Sequence, residues 1–271
     1  MDTDIPSSVL SDRSNVYAEE RQQAIAELVR SHGRASVSSL AERFDVTSET
    51  VRRDLATLER SGHLQRVHGG AVRPELVQLI DEQDISERET SHTIQKAAIG
   101  RAAIAFLPAD GGSVSLDAGT TTYQAAVAIP ADRRLHMVTS SLPIATVLAS
   151  HPNATLHLVG GRVRGLTQAA VGAETVARLA TFRTSVAFIG TNGISEDMGL
   201  STPDPEEAAV KAALVASAQR VVVLADSSKM NREDFSSFAS LDDVDVLITD
   251  AGVDPSYAAA LSARGIEVVI A

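Results

Sequence analysis

Apolar positions along the chain follow two different periods, and the period changes once. From Tyr17 to Gly33 the stretch YAEERQQAIAELVRSHG places Ile25, Leu28 and Val29 on one face, which predicts an amphipathic helix stopped by a glycine. Val37, Leu40 and Ala41 form a second, shorter face behind Ser36, a suitable N-cap, and Phe44-Asp45-Val46 reads as a tight turn. Val51, Leu55 and Leu58 repeat at i, i+4 and i+7 behind a Thr47 cap, so a third helix is expected, ended by Gly62. His63 to Val67 extends as a strand, with Gly69-Gly70 turning a small wing. Helix, helix, short turn, helix and wing is the order of a winged helix-turn-helix.

No period holds over RPELVQLIDEQDIS, residues 73–86, which reads as a linker. A helix is then expected with Ile94, Ala98, Ala102 and Ala105 on its inner stripe, ending at 108–112. Beyond it, short β-branched runs recur: SVSL from 113, LHMVT from 135, TLHLV from 155, SVAFI from 185, RVVVLA from 220, VDVLIT from 244 and IEVVI from 266. Helical stretches separate most of them, the signature of a mostly parallel sheet with helices on both faces. The fold class is therefore α/β, with a winged helix-turn-helix over 17–72, a linker over 73–86 and a sheet domain over 87–271. Residues 1–16 read as a disordered tail, or as a stretch ahead of a translation start at Val16.

Composition narrows the chemistry. The 271 residues include no cysteine, which excludes disulfides, thiolate nucleophiles and cysteine-ligated metal. No run of eighteen apolar residues occurs, and the acidic start MDTDIPSSVLSDRSN is unlike a signal peptide, so a cytoplasmic chain is expected. The net charge of -11 is unevenly spread: residues 17–75 carry nine acidic and nine basic side chains, against 23 and 14 over 76–271. A large acidic domain does not seek phosphate backbone, whereas the compact element RRDLATLERSGHLQRVHGG, Arg52 to Gly70, concentrates basic groups at its ends. On the third helix Ser48, Thr50, Arg52 and Arg53, and on the wing Arg66 and His68, sit where bases and phosphates would be met. The same pattern also describes a solvated face or a protein-docking module. Asp54 reads as structural, paired with Arg52, Arg53 or the neighbouring module, because a carboxylate aimed at phosphate repels it.

In open parallel sheets ligands bind beyond the carboxyl ends of the strands. The turns there run Asp117-Ala118-Gly119-Thr120-Thr121-Thr122, then Thr139-Ser140-Ser141, Gly160-Gly161-Arg162 with Arg164 close behind, Gly190-Thr191-Asn192-Gly193, and Asp226-Ser227-Ser228-Lys229. The Gly119 turn opens a helix whose first N–H groups can hold phosphate, while Arg162, Arg164 and Lys229 supply local positive charge. Any one such loop is explained equally by capping and turning; five on one rim favour a phosphorylated ligand. Asp204-Pro205-Glu206-Glu207 reads as a capped helix start, and Glu207 with Lys211 as an ordinary i,i+4 pair, although either could reach the rim. The seven histidines lack metal spacing, and neither a Walker loop nor a Gly-x-Gly-x-x-Gly turn occurs, so neither metal nor cofactor is expected.

The run VTSETVRRDLATLERSGHLQRVHGGA resembles the signature of the DeoR family of bacterial transcription regulators, through Arg52-Arg53-Asp54-Leu55, Leu58-Glu59, Gly62 and Arg66 to Ala71. The resemblance continues beyond Glu87 through Glu87-Arg88, Lys96, Ile99-Gly100, Asp117 to Thr122, Gly160-Gly161, Phe188-Ile189-Gly190, Gly199-Leu200, Glu207-Ala208, Lys211 and Asp226 to Lys229. It implies an operator-binding homo-oligomer, dimer or tetramer, that associates with the nucleoid when bound to DNA. It also implies a sensor domain with the fold of sugar-phosphate isomerases, controlled by a phosphorylated sugar. Ser140 departs from the family, which usually has Asn there. The stretches 164–169 and 267–271 look most like the branch that represses sugar phosphotransferase and fructose genes, which implies a fructose phosphate effector. The competing class is an isomerase-like enzyme with an appended DNA-binding module, using Asp117, Glu207 and Lys229 for proton transfer. The resemblance favours a regulator without catalytic residues.

Overall fold

The computed structural model describes residues 7–67, 70–72 and 90–271. The chain divides into two compact units at Asp81/Glu82.

The first unit contains α1 (Ser7–His32), β1 (Arg34–Ser36), α2 (Val37–Phe44), α3 (Ser48–Arg60), β2 (Gln65–Val67) and β3 (Gly70–Val72). α1 begins at Ser7 rather than Tyr17, so it runs into the stretch expected to be a tail. Both helices of the motif start where hydroxyl caps predict: Ser36 accepts from the Ser39 N–H at 3.1 Å and Thr47 from the Thr50 N–H at 3.2 Å. Gly62 ends α3 at φ 74°, a left-handed conformation that costs glycine little. The wing has one strand more than expected, because β3 pairs antiparallel with both β2 and β1. Ile25, Val29, Leu40, Val51, Leu55, Leu58, Leu64 and Ala71 close the core, so every predicted face except that of Leu28, Val37 and Ala41 is fully buried, and those three pack against it.

In the second unit α4 (Thr93–Ala102) leads through a 3₁₀ turn into β4 (Ser113–Leu116), α5 (Thr120–Ala128), β5 (His136–Thr139), α6 (Leu142–Leu148) and β6 (Thr155–Leu158). The hairpin β7 (Arg162–Arg164) and β8 (Ala169–Val171) precedes α7 (Ala173–Leu179) and β9 (Val186–Gly190). β10 (Gly193–Ser195), β11 (Gly199–Thr202), α8 (Pro205–Ser217), β12 (Val221–Leu224), β13 (Ser236–Ala239), β14 (Val246–Thr249), α9 (Pro255–Ala263) and β15 (Glu267–Ile270) complete it. All seven predicted runs enter one sheet of order β15-β14-β12-β9-β4-β5-β6, and every pairing in it is parallel. Side chains alternate between two cores: Ala187, Ile189, Val221, Val223 and Leu247 face one side, and Val186, Phe188, Val222, Leu224, Val246 and Ile248 the other. A strand buried on both faces reads as a continuous apolar run, which is why these segments were conspicuous in the sequence.

The expected stripe on α4 is not the buried one. Ile94 is 83% exposed, while Lys96, Ile99 and Gly100 are buried. The helix turns this face inward because Gly100 meets the backbone of α5: a Cβ there would lie 2.6 Å from the Gln124 carbonyl carbon. That close approach also brings Lys96 inside.

Candidate functional sites

In the first unit α3 presents Arg52 and Arg53 exposed, with Ser48 exposed and Thr50 half-buried at the N-terminal turn. Thr50 Oγ1 lies 3.0 Å from Thr47 Oγ1, so its hydroxyl also serves the cap. Arg52 lies 3.8 Å from Glu49, a weak exposed pair that a phosphate could replace. Arg66 on β2 is exposed; its N–H donates to Glu59 Oε1 at 2.9 Å, which ties the wing to α3. His68 lies outside the described residues. Asp54 is structural, but its partner is neither Arg52 nor Arg53. Its carboxylate is only 4% exposed and accepts from Arg21 Nε at 2.6 Å and Gln22 Nε2 at 2.8 Å, both on α1. The helix period places Asp54 on the buried face with Val51, Leu55 and Leu58, and so directs it inward.

In the second unit, strand order reverses beside β4: the chain moves out through β5 and β6, then returns to the other side at β9 and continues to β12. The turns leaving β4 and β9 diverge there and open a recess, the usual ligand position in such sheets. The recess is lined by Gly119, Thr120 and Thr121 after β4, by Gly190 and Thr191 after β9, and by Asp226 and Lys229 after β12. Ser91, Lys96 and Lys211 complete its wall. Gly119 caps α5, so the first turn of that helix presents its N–H groups and positive dipole end beside the lysines.

Lys211 does not pair with Glu207, as its spacing suggested. Its ammonium is buried and reaches Asp117 Oδ2, donates to the Gly190 carbonyl at 3.0 Å and lies 5.5 Å from the Phe238 ring centre. Gly190 N–H donates to the same Asp117 oxygen at 3.0 Å. Burial pushes the Asp117 carboxyl above its ordinary range; Lys211 and the Gly190 N–H oppose that rise, and Glu207 adds to it.

The remaining rim residues stand apart from the recess lining. Thr122 Oγ1 donates to the Gly119 carbonyl at 2.9 Å, a local turn contact, and Thr139 Oγ1 donates across to the Leu116 carbonyl at the end of the neighbouring strand β4 at 2.8 Å. Ser140 is fully buried where Ala170 donates to its carbonyl. Gly160 and Gly161 are exposed, with Thr175 donating to the Gly160 carbonyl. Arg162 pairs with Glu206 at the surface. Arg164 is held by Asp204 at 3.2 Å and Glu207 at 3.1 Å, and Thr167 also donates to Glu207. The expected convergence of five turns is thus met by three, and Lys96 and Lys211 stand where Arg162 and Arg164 were expected. Ser91 carried no signal in the sequence, and Lys96 only its place in the family pattern, because they enter the recess from α4 and the turn ahead of it, before the sheet begins.

Two family models match the chain: a DeoR-like helix-turn-helix domain over residues 21–77 and a DeoR C-terminal sensor domain over residues 91–251. The HTH-type transcriptional regulator GlpR of Haloferax volcanii is 36% identical over 92% of this chain and 96% of its own. The uncharacterized HTH-type transcriptional regulator FruR of Bacillus subtilis is 33% identical, covering 86% and 91%. The lactose phosphotransferase system repressor of Staphylococcus epidermidis is 33% identical, covering 85% and 91%. Among the described residues no helix is long and apolar enough to cross a membrane.

Proposed function

This chain belongs to the DeoR family of DNA-binding transcription regulators, and from that premise we propose that it represses genes of sugar uptake or metabolism under the control of a phosphorylated sugar. The observation that carries the reading is the recess at the strand-order reversal. It joins the open N-terminal turn of α5 with Lys96, Lys211 and Lys229, which together suit an anion of several charges inside an otherwise acidic unit.

In this reading Ser48, Thr50, Arg52 and Arg53 enter the major groove, while Arg66 and His68 hold the flanking backbone. The effector's phosphate lies against Gly119, Thr120, Thr121 and Lys229. Lys211, positioned by Asp117, faces the same recess, and Glu207 fixes the β7–β8 hairpin through Arg164. Fructose phosphate is the favoured effector, supported by the names of the FruR and lactose phosphotransferase relatives. A dimer, or a pair of dimers, presents two reading helices to two half-sites. The isomerase alternative is disfavoured because relatives spanning nearly the whole chain are regulators.

The test is in vitro selection of duplexes from a random pool with the full-length protein, followed by gel-shift titration of the selected operator with fructose 1-phosphate, fructose 6-phosphate and glucose 6-phosphate. One of these should change operator affinity at least tenfold. A protein that selects no sequence, or an operator complex indifferent to all three, overturns the reading.

A further inference from the structure

Charge is divided across the seven-stranded sheet as unevenly as along the chain. Residues 133–173, which carry β5, α6, β6 and the β7–β8 hairpin, include no Asp or Glu, while residues 174–271 include 15. Strand order turns that division into a gradient: β6 closes the acid-free margin, and β15, opened by Glu267, closes the acidic one. β6 is also an unguarded edge. Among the described residues no strand pairs with its outer side. Thr155 and Val159 donate toward β5, to the Leu135 carbonyl at 2.9 Å and the Thr139 carbonyl at 2.8 Å, so by alternation Leu156 and Leu158 turn their N–H and C=O outward. Such an edge is a template for another strand, and is ordinarily blunted by charge, proline or a bulge. Thr155-Leu156-His157-Leu158 has no charged residue and no proline, and its register with β5 is unbroken. Apolar side chains gather where it ends: Leu158 is 50% exposed, Val163 on β7 45% and Leu142 at the start of α6 40%. Ala170 donates to the Ser140 carbonyl at 2.8 Å and Leu142 to the Gln168 carbonyl at 3.1 Å, which holds the hairpin against that margin.

We propose that β6 is the joint between two copies of this chain, the two strands pairing antiparallel about a twofold axis that passes by His157. Leu156 of each copy then lies opposite Leu158 of the other, and the outward N–H and C=O groups of both are satisfied. A second copy fits this edge because the acidic halves, which repel, are held at the far ends of the joined sheet. Pairing through β15 would bring those halves together. Pairing β6 to β15 would continue head to tail without closing. The inference rests on the chain acting as a dimer or a pair of dimers, and it deepens that reading by naming the surface.

The experiment combines sedimentation of the full-length wild type, Leu158→Lys and Val163→Lys with oxidation of His157→Cys and, as a control, Glu267→Cys. Because the chain has no cysteine of its own, each introduced thiol can meet only its copy. At the twofold the two residues 157 form a non-hydrogen-bonded pair, whose spacing suits a disulfide. Wild type should sediment as a dimer or a pair of dimers. Leu158→Lys buries two ammonium groups at the joint, so it should halve the sedimenting mass and raise the dissociation constant about tenfold or more. Circular dichroism checks its fold, and Val163→Lys is read instead if Leu158→Lys fails to fold. His157→Cys should oxidise to a covalent dimer, and Glu267→Cys should not. A folded lysine variant with wild-type association, or a folded His157→Cys variant that does not cross-link, overturns the surface and leaves the dimer standing. A mass that climbs steadily with concentration overturns the twofold. A monomeric wild type overturns the dimer reading and this inference together.

Discussion

Lys211 sends its ammonium to Asp117, 94 residues away in sequence, and not to Glu207 on its own helix. Both partners are nearly inaccessible, at 5% and 2% side-chain exposure. Removing one member of a buried ion pair strands the other charge, at a cost of about 3–5 kcal/mol, whereas removing both often costs far less. In urea unfolding monitored by circular dichroism, Lys211→Met and Asp117→Asn should each lower stability by several kcal/mol, and the double variant by less than their sum. Additive losses would show that the two groups do not interact.

The same pair gives a pH signature. Burial raises the Asp117 carboxyl in the folded protein, so its contribution to stability is present at acid pH and lost as pH rises through the folded-state value. Without Lys211 the opposing attraction disappears and the folded value rises further. The deficit of Lys211→Met relative to wild type should therefore shrink between pH 7 and pH 5, while that of Asp117→Asn should not. Midpoints of thermal unfolding across this range check it.

On the reading helix two classes of substitution separate. Arg53→Ala should weaken the selected duplex more than random ones and relax its sequence preference, leaving thermal stability unchanged. Asp54→Ala removes the acceptor of Arg21 and Gln22, so it should destabilise the unit by about 1–3 kcal/mol and weaken binding only through that loss. Fluorescence anisotropy over a salt series, paired with thermal melts, distinguishes them.

Gly100→Ala tests the contact of α4 with α5. The added Cβ would stand 2.6 Å and 2.7 Å from backbone atoms of Gln124 and Ala125, which cannot rotate away. A loss of at least about 1–3 kcal/mol is expected in urea unfolding, despite the better helix propensity of alanine.

Lys96 lies on the first described helix after the stretch between the units and also lines the recess. Lys96→Met should retain operator affinity within about twofold while reducing the effector-induced change at least tenfold. Gel shifts with and without the active sugar phosphate measure both quantities.

What the sequence disclosed followed from how each residue's neighbours are arranged. Val51, Leu55 and Leu58 were legible because their partners lie on one helix face. The central strands β9, β12 and β14 were legible because both sides of each are buried and apolar, and the edge strands because their β-branched runs are short and bounded by turns. The Thr47 and Ser36 caps act within three residues, so they too could be read locally. Lys96, by contrast, is buried through a backbone approach that composition does not record, and it displaced the alanine stripe that periodicity suggested. Lys211 and Arg164 exchanged expected roles for the same reason. Which carboxylate a cation meets is decided by strand order, and strand order is settled by contacts far apart in the chain. Of the candidate site, the Gly119 turn and Lys229 were readable from local chemistry, while the other cations were not.

The recess needs β4, β9 and β12 side by side, so it cannot exist before the ribosome has passed Lys229. The reading unit closes its core by Ala71. During synthesis the helix-turn-helix unit can therefore close before the recess exists, and a chain ended between them would carry a folded head and no pocket.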